Sequence, residues 1–117
     1  MKTYLTVTKA LADETRTRII KLLEYNELCV CQIQAVIGLG QSTISKHLSI
    51  LKNAGLVEIR KEGIWIYHRL SENSEDRYVC EMLNMIRGFL NEEPVVQADR
   101  EKAVEFRQIG LEEICNK

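Results

Sequence analysis

The sequence predicts a mainly α-helical fold carrying one small β-hairpin, and three features of its 117 residues point there. Apolar residues recur at helical spacing through the first fifty positions and again after residue 75. Glycines at 38, 40 and 55 punctuate those runs. Between residues 56 and 70 the period changes, with β-branched and aromatic residues crowding two short runs around a charged turn. The length suits one domain, and a chain of this size buries roughly two-thirds of the surface that it exposes when unfolded. A composition of 45% hydrophobic and 28% charged residues is globular and excludes intrinsic disorder.

Residues 4–12 suit a short helix. Asp13 then serves as the N-cap of an amphipathic helix over about 14–25, with Ile19, Ile20, Leu22 and Leu23 on its apolar side, ended by Asn26. Val30, Ile33, Val36 and Ile37 mark a helix over 29–38, closed by Gly38 and Gly40. Gln41 and Ser42 open a third, with Ile44, Leu48 and Leu51 inward, running to the Asn53-Ala54-Gly55 cap. Residues 56–60 and 64–70 form the hairpin about Lys61-Glu62-Gly63. A helix over about 75–91 carries a broad apolar stripe that includes Val79, Met82, Leu83, Ile86, Phe89 and Leu90. That breadth predicts a homodimer closed through terminal helices. Pro94 marks a break, followed by a helix over 99–114. The expected division is a folded unit over 1–93 and a C-terminal helical tail over 94–117.

The formal charge of −1 hides a gradient. Residues 1–70 hold ten Lys/Arg against six Asp/Glu, a net of +4, and residues 71–117 hold six against eleven, a net of −5. The basic part contains the two helices joined by the glycine turn, the order of a helix-turn-helix, followed by the hairpin as a wing. The second of those helices opens with short polar residues at an end whose free N–H groups attract phosphate. Gln41 and His47 are suited to base edges, and Ser42, Thr43, Ser45 and Lys46 to phosphates or bases. Arg60 and Lys61 would lie on phosphate from the wing. The partner expected is double-stranded DNA.

Four phrases sharpen this. They are Leu11-Ala12-Asp13-Glu14-Thr15-Arg16, Glu27-Leu28-Cys29-Val30-Cys31, Ser42-Thr43-Ile44-Ser45-Lys46-His47-Leu48 and Gly63-Ile64-Trp65-Ile66-Tyr67-His68-Arg69-Leu70. In this order, over more than half the chain, they resemble the ArsR/SmtB family of winged-helix metal-responsive repressors. The resemblance implies a homodimer that binds an inverted-repeat operator and leaves it when an inducer binds. It also implies control of resistance genes.

Cys29 and Cys31 offer two soft sulfur ligands, suited to thiophilic ions. The pair resembles the arsenite-sensing signature of the family's ArsR branch, which implies As(III), with Sb(III) as its mimic, and no organic cofactor. The fullest form of that signature has a third cysteine where this chain has Gln34. A third sulfur is left to Cys115, to Cys80, to a partner subunit's cysteine or to an external thiol, or is absent, with Cys115 favoured. If both cysteines are helical they sit about 200° apart around the axis, so one ion can be gripped only if the helix start distorts. Ligation is therefore expected to unwind residues 28–32 and shift the recognition helix. The family's zinc site needs histidines on the last helix, and none follows His68; its cadmium type needs cysteines before Cys29, and none occurs.

Two other classes stay open beside this reading. A thiol redox-responsive repressor would use Cys29, Cys31 or the remote cysteines as a disulfide. A thiol-dependent enzyme of arsenic metabolism would use Cys29 or Cys115 as nucleophile, but no phosphate-cradling loop or Cys-x-x-Cys accompanies them, so no enzyme is expected. A docking module using the winged helix for protein contacts is the remaining rival. Four scattered cysteines without a leader-like segment, and no apolar run near the ~18 residues of a membrane span, predict a cytoplasmic protein with no membrane partner.

Overall fold

The computed structural model describes residues 1–72 and 74–109, without the side chains of residues 107–109. Six helices and a three-stranded sheet occur among the described residues. Helix α1 spans Lys2–Leu11 and α2 spans Glu14–Leu23. Asp13 takes an extended conformation and accepts from the Arg16 N–H at 3.0 Å, the expected N-cap. Strand β1, Leu28–Cys29, comes next, then α3 over Val30–Ile37 and α4 over Gln41–Asn53. Gly38 closes α3 at φ 86°, a left-handed conformation that glycine adopts without strain. Gly40 caps α4, completing the helix-turn-helix.

Strands β2, Val57–Glu62, and β3, Trp65–Leu70, form the wing. Glu62 pairs with Trp65, leaving Gly63-Ile64 as a two-residue loop with Gly63 at φ 61°, as its first position requires. The turn thus lies one residue further along than sequence pattern places it. The sheet order is β1-β3-β2, all antiparallel, with Leu28 opposite His68 and Cys29 opposite Tyr67. The strand β1 has no counterpart in the sequence expectation. Two residues carry no periodicity, and only pairing with β3 defines them.

Helix α5 spans Arg77–Arg87, capped by Asp76, and is shorter than the expected 75–91. Helix α6 spans Pro94–Ile109, starting five residues before the expected 99. Pro94 begins it, because the first helical position needs no N–H. The core is built from Val7, Ile19, Ile20, Ile33, Val36, Ile44, Leu48, Leu51, Leu56 and Val79, each 3% exposed or less. Helix α6 packs back on α2 and α3. Arg18 on α2 meets the buried Asp99 carboxylate through two bonds of 2.9 and 2.8 Å, and Arg100 meets the buried Glu24 at 3.2 Å. The two-point Arg18–Asp99 contact fixes orientation as well as distance. No helix among the described residues is long and apolar enough to cross a membrane.

Candidate thiol site and nucleic-acid face

Cys29 is the last residue of β1 and the N-cap of α3, with φ −77° and ψ 160°. Its sulfur accepts from the Gln32 N–H, while its own N–H donates to Gln32 Oε1 at 2.9 Å. The expectation that both cysteines are helical is therefore corrected: Cys29 is extended and Cys31 lies in the first helical turn. Pairing with Tyr67 holds Cys29 in the sheet, and the reciprocal Gln32 cap fixes where the helix begins. The 200° separation, which assumes two helical residues, does not apply.

Cys29 is 4% exposed. Burial pushes its thiol pKa up, the Glu27 charge adds to this, and the Ile66 N–H and Arg60 oppose it. Cys29 and Cys80 are free thiols, and Cys31 is disulfide-bonded. Cys115, the favoured third ligand, lies outside the described residues. Cys80 donates to the Ser74 carbonyl at 3.1 Å and lines an open cleft of about 620 Å³ with Leu83 and Arg87. No group of three or more His, Cys, Asp or Glu that could hold a metal occurs among the described residues.

On α4, Ile44, Leu48 and Leu51 are buried as the spacing predicts. Gln41, Ser42, Thr43 and Lys46 are exposed, and Ser45 is half-buried. His47 is turned toward α2, its Nδ1 lying 3.3 Å from an Arg16 nitrogen and 3.9 Å from Asp13 Oδ1. The exposed face continues instead through Ser49 and Ile50, which are absent from the expected set. Counting i, i+4 and i+7 from Ser42 finds Ser49.

Among the described residues, Lys46, Lys52 and Lys61 take part in no ion pair. Arg60 differs: Glu27 accepts from its Nε at 2.9 and 3.0 Å and from its terminal nitrogen, and Glu62 lies 3.3 Å away. The guanidinium also sits 4.7 Å over the Tyr67 ring. This arrangement lowers the Glu27 carboxyl below its usual range and raises Arg60. The wing's Ile64 is 87% exposed at the tip.

The α5 stripe divides in two. Val79, Leu83 and Ile86, from the stripe that predicts the dimer, are buried in the protomer's own core. Met82 packs partly on that core, and Leu90 follows the helix in a left-handed turn at φ 66°. The exposed apolar residues of α5 and its end are Tyr78, Met85 and Phe89. Tyr78 meets Tyr4 of α1 edge to face at 5.8 Å, so α1 and α5 share one apolar outer face, with Leu5 exposed beside it.

Residues 13–58 match the family model described as bacterial regulatory protein, arsR family. The arsenical resistance operon repressor of Escherichia coli K12 is 48% identical over 64 residues, covering 54% of this chain and 55% of that protein. The chain thus matches little more than half the length of that relative. A homologue of the cadmium resistance transcriptional regulatory protein CadC from Staphylococcus aureus is 38% identical over 90 residues, covering 76% of this chain and 69% of that one. Among solved structures, reduced HlyU from Vibrio cholerae superposes with a TM-score of 0.65 at 31% identity, covering 78% of this chain and 92% of that one. The homodimeric winged helix-turn-helix DNA-binding domain of a Mycobacterium bovis protein gives 0.64 at 31% identity, with 80% and 82% covered.

Proposed function

Since the chain belongs to the arsR family of bacterial regulatory proteins, we propose that it is an arsenite- and antimonite-responsive transcriptional repressor with Cys29 and Cys31 as its sensing thiols. It binds an inverted-repeat operator as a homodimer, using α4 and the wing, and dissociates when As(III) is bound. The observation that carries the reading is the place of the pair: one cysteine ends β1 and the other lies in the first turn of α3, the first helix of the helix-turn-helix. A ligand held by both spans the joint between sheet and reading helices. Pulling on that joint shifts α3, and α4 packs on α3.

The raised Cys29 thiol bears on the choice of ion. A divalent cation must expel the thiol proton to solvent. Arsenous acid, As(OH)₃, carries its own acceptor: each As–S bond forms as a thiol proton and one hydroxyl leave together as water. A protonated, buried thiol suits that condensation. Cys115 remains the proposed third sulfur, and residues 94–117 the proposed C-terminal extension of the DNA-binding unit. A thiolate sensor functions in a reducing compartment, so the cytoplasm is its proposed location. Binding and release of DNA require no catalysis, so the protein is proposed to be no enzyme.

Binding of the wild type, Cys29→Ser and Cys31→Ser to operator duplex, with and without arsenite, tests the reading. The wild type should leave DNA on addition of arsenite, and both variants should stay bound. Equal binding by the wild type with and without arsenite would refute it.

The disulfide at Cys31 favours a second reading, in which thiol oxidation is the signal. Two thiols would give one disulfide, two protons and two electrons, reducing hydrogen peroxide to two waters. Operator release by peroxide, reversed by dithiothreitol and insensitive to arsenite, would establish it in place of the first.

A further inference from the structure

Operator binding asks the wing to present cations to phosphate, yet Arg60 is already occupied. Glu27 takes its Nε and its terminal nitrogen together, the two-point contact that a phosphate would also make. The two residues are 33 positions apart and belong to different elements, Glu27 immediately before β1 and Arg60 in β2. Their side chains are 30% and 34% exposed, so water and DNA can reach the pair.

We propose that Glu27 is a phosphate mimic that holds Arg60 in reserve, and that operator binding proceeds with exchange of the Glu27 carboxylate for a DNA phosphate on the same guanidinium. Glu27 is thereby a positioning residue that sets operator affinity without touching DNA. Three observations support the exchange. A part-exposed ion pair at the surface is weak enough for a polyanion to displace, because solvent reaches and screens it. The Tyr67 ring beneath Arg60 keeps the guanidinium on the flank of the wing whichever oxygen it faces. Lys46, Lys52 and Lys61, by contrast, need no release, since no carboxylate holds them among the described residues.

The inference rests on the DNA-binding reading above, and no metalloid is needed to test it. The probe is a short duplex carrying the inverted repeat that the wild type selects from a random-sequence pool. Affinity is measured across a salt series for the wild type, Glu27→Gln, Arg60→Gln and the double variant, each checked for folding by circular dichroism. Glu27→Gln should bind about three- to tenfold more tightly, since it removes the two-point contact on Arg60 in both protomers and leaves only the single, longer contact from Glu62. Arg60→Gln should bind more weakly, with a salt slope shallower by roughly 2, about 0.9 for each phosphate that the dimer's two guanidinium groups neutralise. The double variant should match Arg60→Gln, because Glu27 acts only through Arg60.

Unchanged or weaker binding by folded Glu27→Gln overturns the proposal. So does tightening that persists in the Arg60→Gln background, which would be simple charge repulsion, or an Arg60→Gln slope equal to the wild type's. A wild type that binds no duplex refutes the DNA-binding reading itself, and this inference with it.

Discussion

Cys29 stands directly opposite Tyr67 in the β1–β3 ladder, and Tyr67 carries Arg60 on its ring. The thiol predicted to sense the inducer is therefore one residue pair from the wing, as well as being the cap of α3. A ligand at Cys29 bears on both DNA-facing elements at once, and this joint organises the expectations below.

Sulfur counting separates the candidate third ligands. Arsenic X-ray absorption on the wild type should show three sulfurs, falling to two in Cys115→Ser and staying at three in Cys80→Ser. Cys80 already donates to Ser74 and joins no metal-competent group among the described residues. Loss of a sulfur in Cys80→Ser would reverse the assignment.

Lys46 on α4 and Lys61 on the wing should each neutralise a phosphate. Replacing either by Gln should weaken operator and random duplex alike and reduce the salt slope by about 1 for each phosphate no longer neutralised. Gln41→Ala should instead cost about 1–3 kcal/mol on the operator alone if Gln41 reads a base edge. A uniform loss for Gln41→Ala would assign it to the backbone.

The apolar outer face of α1 and α5 should carry the dimer. Met85 and Phe89 are 47% and 54% exposed, so changing both to Glu leaves the protomer core intact. Sedimentation should shift from dimer to monomer, and operator affinity should collapse. A variant that remains dimeric places the interface elsewhere.

His68 on the wing strand β3 is 9% exposed, and burial, with Lys52 in second place, pushes its pKa below 6.5. The unfolded chain takes up a proton that the folded one refuses, so stability is full above pH 6.5 and declines as pH falls toward the lowered value. His68→Phe should flatten the dependence of Tm on pH from about 6.5 to 5. Asp13 and Glu27, whose pKa values are lowered by hydrogen bonds to the Arg16 N–H and to Arg60, act below that window. An unchanged profile in the variant would exonerate His68.

Lys21 is 1% exposed, bonded to Glu24 at 2.8 Å and to the Ile86 carbonyl at 2.9 Å. Lys21→Ala leaves the buried Glu24 carboxylate with only part of its compensation and should cost about 3–5 kcal/mol in urea unfolding. A loss under about 1 kcal/mol would mean that Arg100 alone satisfies Glu24.

Much of this is readable from sequence, and the reason differs by residue. Ile44, Leu48 and Leu51 lie inside because helical spacing puts them on one side, and Gly38 ends α3 because its backbone is left-handed. Asp13 caps α2 from its own sequence neighbourhood. The orientation of His47 escapes such reading because it depends on Arg16, 31 residues away. Val79, Leu83 and Ile86 look like partner contacts because periodicity shows that a face is apolar but not what covers it.

The sequence by itself determined the order of elements, their caps, the glycine turn and the cysteine pair, all of which are local and act through backbone preference or helical repeat. Tertiary structure decided that Cys29 belongs to a strand, that Glu27 holds Arg60, and that Arg18 and Asp99, 81 residues apart, tie α6 to α2. These depend on which distant segments meet. That is settled by hydrogen bonding and charge pairing across the packed chain, and no window of sequence contains both partners.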